Sequence, residues 1–177
     1  RDLALNSAGE RFSPQYIENK LKFSPYVSEV VILGDRREYP AAIVCLRFSI
    51  VSKWAEQQRM AFTTYSDLAG RREVYELIGN EIARVNGTLP PAQLVRKFVL
   101  LYKELDADDG ELTRTLKVRR RPIEEKYAVL VAALYSDARE VRVETEVTYE
   151  DGRKGKIAAT LAIRDAKTFP RAVRQAA

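Results

Sequence analysis

The sequence contains no histidine, and this absence removes several classes of enzyme chemistry. Without an imidazole, no Ser–His or Cys–His nucleophile pair can form, and no histidine can bind a metal. The single cysteine, Cys45, excludes an internal disulfide and is typical of a reducing compartment. Any acid, base or electrostatic role must therefore come from Lys, Arg, Asp, Glu or Tyr.

The chain also lacks long hydrophobic runs. No run reaches the length that a membrane span needs, and no signal-peptide pattern is present. The chain begins at Arg1, without a methionine, and structured-looking sequence follows at once, so we expect a piece of a longer protein. Its 177 residues suffice for one domain with a hydrophobic core. The net charge of +5 suits anionic ligands without requiring nucleic acid.

The pattern of apolar residues predicts an α+β fold, with a small mixed or antiparallel sheet covered by helices. Apolar runs near residues 30, 45 and 98 predict three strands, of which the first two form an antiparallel hairpin. Ser13 before Pro14 is the pattern of an N-cap and a first helical residue. Residues 60–69 read as irregular. Helices are expected at residues 14–23, 50–58, 71–86 and 122–134.

After Tyr135, two runs of alternating apolar and polar residues predict an appended C-terminal β-hairpin. The apolar residues of both runs have odd numbers, so residues paired across the strands must have numbers that add up to an even number. A loop of odd length with Gly152 as a bulge residue satisfies this, whereas a two-residue turn would bury Lys156. We therefore divide the chain into a domain at residues 1–135 and a hairpin with its tail at 136–177, packed on the same domain.

The densest charge feature is residues 106–122, DADDGELTRTLKVRRRP, where an acidic loop leads to Lys117 and three arginines. A lysine just before a helix N-terminus can meet a phosphate or a carboxylate. On charge alone, the alternative is a solvated basic surface with no specific ligand. Thr113 and Thr115 are expected to hold the lysine in place through local hydrogen bonds.

No metal site is predicted. The acidic loop does not fit a calcium-binding loop, because placing Gly110 at position six puts Leu105 and Ala107 where oxygen ligands belong. Cys45 lies inside an apolar run and is interpreted as a small core residue, not as a reactive thiol.

Two motifs stand in order along the chain. One is Leu112-Thr113-x-Thr115-x-Lys117-x-Arg119-Arg120, and the other is residues 7–18, SAGERFSPQYIE. The motif from Leu112 to Arg120 resembles the C-terminal lysine motif of the adenylate-forming, AMP-binding enzymes, in its long-chain fatty acyl-CoA synthetase version. The motif at residues 7–18 resembles the Gly-rich loop and following helix of the same family. Their order and approximate spacing also match, so the chain resembles the mobile C-terminal domain of such an enzyme.

The resemblance implies a role for each basic residue of the first motif. Lys117 would orient the carboxylate and ATP and stabilise negative charge while pyrophosphate leaves. Arg119 and Arg120 would steer phosphate groups or pair with a partner domain, with solvated charge as the alternative. Arg1 falls at the hinge position of the family, where Asp or Lys is frequent.

The second motif would form the CoA-binding loop: Ala8, Gly9, Glu10 and Arg11 would border the pantetheine chain while the thioester forms. Glycine lets a backbone approach a thin ligand closely, and Ala8 stands where a second glycine is common in the family. Arg11 would reach a CoA phosphate or form a structural salt bridge.

The implied function is that of a long-chain fatty-acid–CoA ligase. A fatty acid and ATP give acyl-adenylate, and after a hinge rotation the CoA thiol attacks the adenylate. ATP and CoA would be substrates, and Mg²⁺ would come with ATP, bound mainly by an N-terminal adenylation domain outside this chain. The phosphate-loop motif of the family does not occur here, so the chain alone is expected to be inactive. The expected location is cytoplasmic, with peripheral membrane association left open.

Three alternatives stay open at this point. The nearest is another adenylate-forming ligase that loads a carrier protein. A second is a nucleic-acid-binding module using residues 114–121, although no aromatic residues are interleaved there and no nucleic acid partner is expected. A third is a standalone interaction domain.

Overall fold

Two hydrophobic clusters lie on opposite faces of a four-stranded sheet in the computed structural model, which describes residues 3–168. The strands are β1 Ala4–Leu5, β2 Arg11–Phe12, β3 Val27–Leu33, β4 Ala41–Leu46, β5 Lys97–Leu100, β6 Glu140–Thr148, β7 Lys154–Ala162 and β8 Arg164–Asp165. The helices are α1 Pro14–Lys22, α2 Phe48–Gln57, α3 Tyr65–Ala69, α4 Arg72–Asn86, α5 Arg120–Lys126 and α6 Ala128–Leu134, with a 3-10 turn at Pro91–Gln93. These elements confirm the predicted α+β class.

The central sheet has the strand order β3-β4-β5-β8. Strand β3 is antiparallel to β4, β4 is parallel to β5, and β8 is antiparallel to β5, so of the two predicted arrangements the sheet has the mixed one. All six residues of β4 are buried, because helices or the hairpin cover both faces. Strand β8 was not predicted, since its two exposed residues carry no apolar signal.

Alternate residues of the strands point into the two clusters. Val44 of β4 belongs to the first cluster with residues from α1 to α4, such as Ile17 and Ile78. Ile43, its neighbour in β4, belongs to the second cluster with residues from α5 and α6 and from the hairpin, such as Leu130. The period of two along a strand therefore places one helical layer on each face.

Helix α1 begins as the sequence predicts. The Ser13 side chain accepts a hydrogen bond from the Tyr16 N–H (3.2 Å), and Pro14 is the first helical residue. Phe12 and Ile17 are both buried, as expected for a hydrophobic staple. The helix ends at Lys22, one residue before the predicted end.

The prediction that residues 60–69 are irregular is wrong, because they contain α3. The hydroxyl of Thr64 caps this helix by accepting a hydrogen bond from the Asp67 N–H (3.1 Å), and Leu68 and Ala69 are buried beneath it. Five residues are too few to show a helical period in the sequence.

The predicted helix at residues 122–134 is present as two helices, α5 and α6, that meet at Tyr127. The hydrogen bonds from the Tyr127 N–H to the Ile123 carbonyl and from the Val131 N–H to the Tyr127 carbonyl continue across the junction (both 2.9 Å). The backbone leaves helical geometry at the residue whose phenol is anchored to Glu111 (φ −105°, ψ 32°).

The C-terminal hairpin pairs residues whose numbers add up to an even number, as predicted. Val143 lies opposite Ala159, Val141 lies opposite Leu161, and the loop at residues 149–153 has an odd length with Gly152 at φ +87°. Val143 and Leu161 are buried in the second cluster, so the hairpin packs on the sheet face that α5 and α6 cover. The proposed division of the chain after residue 135 stays a prediction.

Cys45 is a core residue, as predicted. It is buried within β4, and burial raises the pKa of its thiol to about 12. The thiol is therefore neutral at physiological pH and unsuited to act as a nucleophile. Separately, no helix within residues 3–168 is long and apolar enough to cross a membrane.

Candidate functional site

Residues 112–118, here called the lysine loop, form a tight excursion closed by a β-bridge between Leu112 and Val118. The Thr113 N–H donates to the Lys117 carbonyl (2.8 Å), and the Lys117 N–H donates to Thr113 Oγ1 (3.0 Å). The hydroxyls of Thr113 and Thr115 are 3.1 Å apart. These bonds confirm that the threonines hold the loop, and they fix the backbone of the exposed Lys117.

The residue before Lys117 has an unusual backbone. Leu116 has φ +63°, a left-handed conformation that is costly for a residue with a branched side chain, and its side chain is 66% exposed. The Leu116 N–H donates to the Thr113 carbonyl (2.9 Å), which holds this conformation. The loop thus stores local strain next to Lys117.

Lys117 lines an open groove of about 520 Å³ between the lysine loop and α1. Two carboxylates of this groove are already paired: Glu29 with Lys22 (3.1 Å) and Glu18 with Arg120. Within residues 3–168, no ion pair involves Lys117. The positive charge of Lys117 is therefore available to an anionic ligand.

The structure places Arg120 in an internal contact. Its guanidinium binds both carboxylate oxygens of Glu18 (2.5 and 3.1 Å) and the carbonyl of Ile32 (2.7 Å). The Ile32 N–H in turn donates to Glu18 (2.7 Å). Arg120 thus ties α5 to α1 and to β3, and its predicted part in phosphate steering stays a prediction.

Arg119 is exposed and lies over the acidic loop. Its side chain donates to the Gly110 carbonyl (3.3 Å), and its backbone N–H donates to the Glu111 carbonyl (2.9 Å). The acidic loop is a turn with Gly110 at φ +75°. Arg119 is therefore an exposed residue beside the lysine loop, and its steering role also stays a prediction.

Replacing Arg120 by alanine is expected to lower the free energy of unfolding by about 2 kcal/mol, because buried Glu18 would lose its cationic partner. This value is below that for a fully buried pair, since the arginine side chain is 29% exposed. Urea unfolding checks the change, with Arg121→Ala as a matched control, because Arg121 is exposed. Equal stability of the two variants would contradict the structural role of Arg120.

A buried network of charged groups lies beneath the acidic loop. Glu111, only 1% exposed, accepts hydrogen bonds from Lys103, from the Tyr127 hydroxyl (both 2.5 Å) and from Lys126 (2.8 Å). Lys103 also pairs with Asp109 (3.2 Å). Burial and the neighbouring carboxylate raise the pKa of the Tyr127 phenol, so it stays a donor. Sequence reasoning missed this network, because its members are spread over residues 103–127.

The second motif forms an exposed turn around a residue that the sequence analysis did not select. Asn6 Oδ1 accepts hydrogen bonds from the N–H groups of Ala8 (3.0 Å) and Glu10 (2.8 Å), and its amide donates to the Glu10 carboxylate (3.0 Å). Gly9 has φ +82° and open space where a Cβ would be. Ala8 is not among the residues with positive φ, so alanine fits there without strain.

The structure keeps the Gly-rich turn of the second motif, residues 7–11, away from the groove beside Lys117, whereas Glu18 at the end of this motif lines that groove. Residues 8–11 are exposed beside the loop at residues 34–40, where the Ser7 N–H donates to the Arg37 carbonyl (2.8 Å). None of residues 7–11 lines the groove beside Lys117, which is walled by α1 instead. The predicted hinge residue, Arg1, lies outside the described residues.

A magnesium site was not expected in this chain. Among residues 3–168, no three His, Cys, Asp or Glu side chains are grouped so that they could hold a metal ion. The acidic residues beneath the lysine loop are instead occupied, since Asp109 and Glu111 pair with Lys103. The residues described here therefore do not fit a metal, and no step below depends on a metal held by them.

An α+β domain that presents a lysine loop and a glycine turn on separate surfaces matches a known class of enzyme domain. The AMP-binding enzyme C-terminal domain family matches residues 1–139. The chain belongs to this family.

Curated relatives are fatty-acid–CoA ligases at modest identity. The long-chain-fatty-acid–CoA ligase FadD15 of Mycobacterium tuberculosis is 26% identical over 137 residues, which cover 77% of this chain and 23% of the relative. The mouse long-chain-fatty-acid–CoA ligase ACSBG1 is 25% identical over 158 residues, covering 79% of this chain and 22% of the relative. The chain thus spans about a quarter of the length of these relatives.

Solved structures share the fold. The A-PCP didomain of carboxylic acid reductase from Segniliparus rugosus, in complex with AMP, matches 76% of this chain and 17% of its own, with a TM-score of 0.60 and 19% identity. The adenylation domain of the carboxylate reductase from Mycobacterium chelonae matches 77% of this chain and 20% of its own, with a TM-score of 0.59 and 21% identity. At these identities the likeness concerns the fold alone.

Proposed function

We propose that this chain is the C-terminal domain of a long-chain fatty-acid–CoA ligase and that Lys117 serves its adenylation step. The observation that carries the proposal is the exposed Lys117, held by a fixed loop at the edge of a groove and without an ion-pair partner within residues 3–168. Fatty-acid–CoA ligases among the relatives support the choice of acid substrate.

In the first half-reaction, Lys117 Nζ would donate hydrogen bonds to the fatty-acid carboxylate and to the α-phosphate of ATP. The carboxylate oxygen attacks the α-phosphorus, the bond to the β-phosphate breaks, and pyrophosphate leaves. A compact cation suits this position, because it draws two anions together and offsets the charge that develops on the phosphate oxygens.

In the second half-reaction, the domain would rotate about Arg1 and bring residues 8–11 to the site. The CoA thiol would attack the acyl carbonyl, and AMP would leave. The placement of Lys117 and of Gly9 on different surfaces supports the assignment of one half-reaction to each surface, because a single rotation would replace one surface by the other at the active site. Gly9, with open space at its Cβ position, would allow the pantetheine chain to pass close to the backbone.

An upstream adenylation domain would supply the acyl pocket, most contacts to ATP and the Mg²⁺ that accompanies ATP. The relatives, of which this chain spans about a quarter, support such a partner domain. This chain would then contribute a cation and a loop to an active site that is completed across a domain interface.

The proposal is tested by assaying fatty-acid-dependent, ATP-dependent thioester formation with this chain alone and with the intact protein joined to its adenylation domain. We expect turnover from the intact protein with CoA and none above background from the chain alone. Turnover by the chain alone would contradict the need for a partner domain. An intact protein that transfers the acyl group to a carrier protein but not to CoA would contradict the CoA ligase assignment.

A further inference from the structure

The C-terminal hairpin, which begins where the family match ends, makes a direct contact with the segment that carries the lysine loop. The backbone N–H of Thr148, at the end of β6, donates to Asp109 Oδ1 (2.8 Å). The other oxygen of this carboxylate pairs with Lys103 (3.2 Å), and the Asp109 side chain is only 4% exposed. Asp109 is thus held from two sides, one of which is the hairpin.

The contact continues to the base of the lysine loop. Lys103 binds Glu111 Oε1, and the Glu111 carbonyl accepts the N–H of Arg119 (2.9 Å). Glu111 and Arg119 therefore join the two ends of the lysine loop, immediately outside the bridge between Leu112 and Val118. A displacement of Asp109 would move Lys103 and Glu111, and with them the base of the loop.

A second contact ties the hairpin to the same part of the domain. The hydroxyls of Tyr102 and Thr145 are 2.5 Å apart, and the Tyr102 hydroxyl also contacts the Ile157 carbonyl (3.3 Å). Tyr102 directly precedes Lys103 in the chain. Both strands of the hairpin therefore contact Tyr102, and the next residue, Lys103, binds Asp109 and Glu111.

The lysine loop is held by its internal hydrogen bonds, but it has little burial to support it. Residues 113–117 are exposed, and the left-handed backbone of Leu116 is strained. Exposed loops open at low cost in free energy, and a strained conformation persists only where its surroundings hold it. The buried network below the loop supplies this restraint, and the hairpin closes one side of that network.

We propose that the hairpin β6–β7 is a positioning element for Lys117 and that Asp109 and the Thr148 N–H are the positioning groups through which it acts. This inference rests on the proposed function, because it assigns the hairpin to the adenylation half-reaction. Neither Asp109 nor Thr148 lines the groove beside Lys117, so the hairpin would act through the loop and not on the substrate.

The test compares variants of the intact protein in two assays: fatty-acid-dependent pyrophosphate release, and thioester formation from premade acyl-adenylate and CoA. Thr148→Pro removes the N–H donor, whereas its matched control Thr148→Ala keeps the donor. The N–H of Thr148 points to Asp109 and so makes no ladder bond to β7. Asp109→Asn removes the charge that pairs with Lys103, and Asp108→Asn, at an exposed neighbour, is its control.

We expect Thr148→Pro and Asp109→Asn to lower the rate of pyrophosphate release by about 10-fold to 100-fold, as for small displacements of a catalytic group. Thioester formation should stay within about 2-fold of the parent rate, since Lys117 does not serve that step, and both controls should resemble the parent. Equal losses in the two assays would indicate a merely structural hairpin and overturn the inference, as would unchanged rates in both.

Lys117→Ala, measured beside them, separates the inference from the proposed function. If this variant keeps its rate of pyrophosphate release, the proposed function itself fails. If it loses that rate while Thr148→Pro and Asp109→Asn do not, the proposed function stands and the inference about the hairpin is wrong. Should Thr148→Pro unfold, as shown by its melting temperature, Asp109→Asn decides the question.

Discussion

Lys117→Ala in the intact protein is expected to lower fatty-acid-dependent pyrophosphate release by about 100-fold or more, the size of effect seen when one charge-stabilising donor is removed. Thioester formation from premade acyl-adenylate and CoA should be preserved. The reason is that the exposed Lys117 and the turn around Gly9 lie on separate surfaces, so the lysine serves only the step in which its own surface faces the substrates. The two rates, measured on one preparation, check this split.

Arg114→Ala is the matched control for this experiment, because Arg114 is an exposed basic residue of the same loop. It should leave both rates within about 2-fold of the parent rates, as expected when only screened surface charge is removed. An equal loss from Arg114→Ala would mean that the loop acts through its overall charge. Survival of both rates in Lys117→Ala would show that Lys117 is an ordinary surface lysine.

Glu111→Leu is expected to lower the free energy of unfolding by about 3–5 kcal/mol, the range found when one partner of a buried ion pair is removed. Lys103 and Lys126 would each lose a carboxylate partner at sites that are largely closed to water, with side chains 11% and 21% exposed. The phenol of Tyr127 would lose its acceptor as well. Urea unfolding followed by circular dichroism checks the loss.

Two further variants sharpen this test. Glu111→Gln keeps the shape and one acceptor oxygen and should cost less than Glu111→Leu, because it removes the charge and one acceptor while the other acceptor stays. Glu104→Leu, at an exposed carboxylate seven positions earlier, should change stability by less than about 0.5 kcal/mol. A loss below about 1 kcal/mol for Glu111→Leu would indicate that water or movement of the lysines compensates for the missing carboxylate.

Local patterns were sufficient for the framework of this domain. Apolar runs near residues 30, 45 and 98 predicted the three main strands, and Ser13 with Pro14 predicted the start of α1. Arithmetic on the residue numbers predicted that paired residues of the C-terminal hairpin have numbers with an even sum, and that its loop has an odd length with Gly152 in a special position. These features follow from the sequence, because periodicity, capping and turn chemistry act over a few neighbouring residues.

The sequence also pointed to Lys117 and to the turn at residues 8–11, through motifs that lie within single segments. It did not show that Asn6 organises that turn, since a single asparagine in a loop carries no distinctive pattern. Nor did it predict the strained backbone of Leu116, because leucine rarely adopts a left-handed conformation.

Only the tertiary structure decided which charged residues serve the fold. Arg120 stands in a run of three arginines, but it alone of the three binds buried Glu18, 102 positions earlier in the chain. Glu111 stands in an acidic loop, but it is buried and shared between Lys103 and Lys126. A charged residue looks the same in sequence whether it is solvated or buried, because its partner is chosen by the packing of distant elements. The apolar periodicity of a helix or strand, in contrast, is visible within its own stretch of sequence. For that reason the sequence alone determined the layers, whereas the structure determined the polar contacts between them.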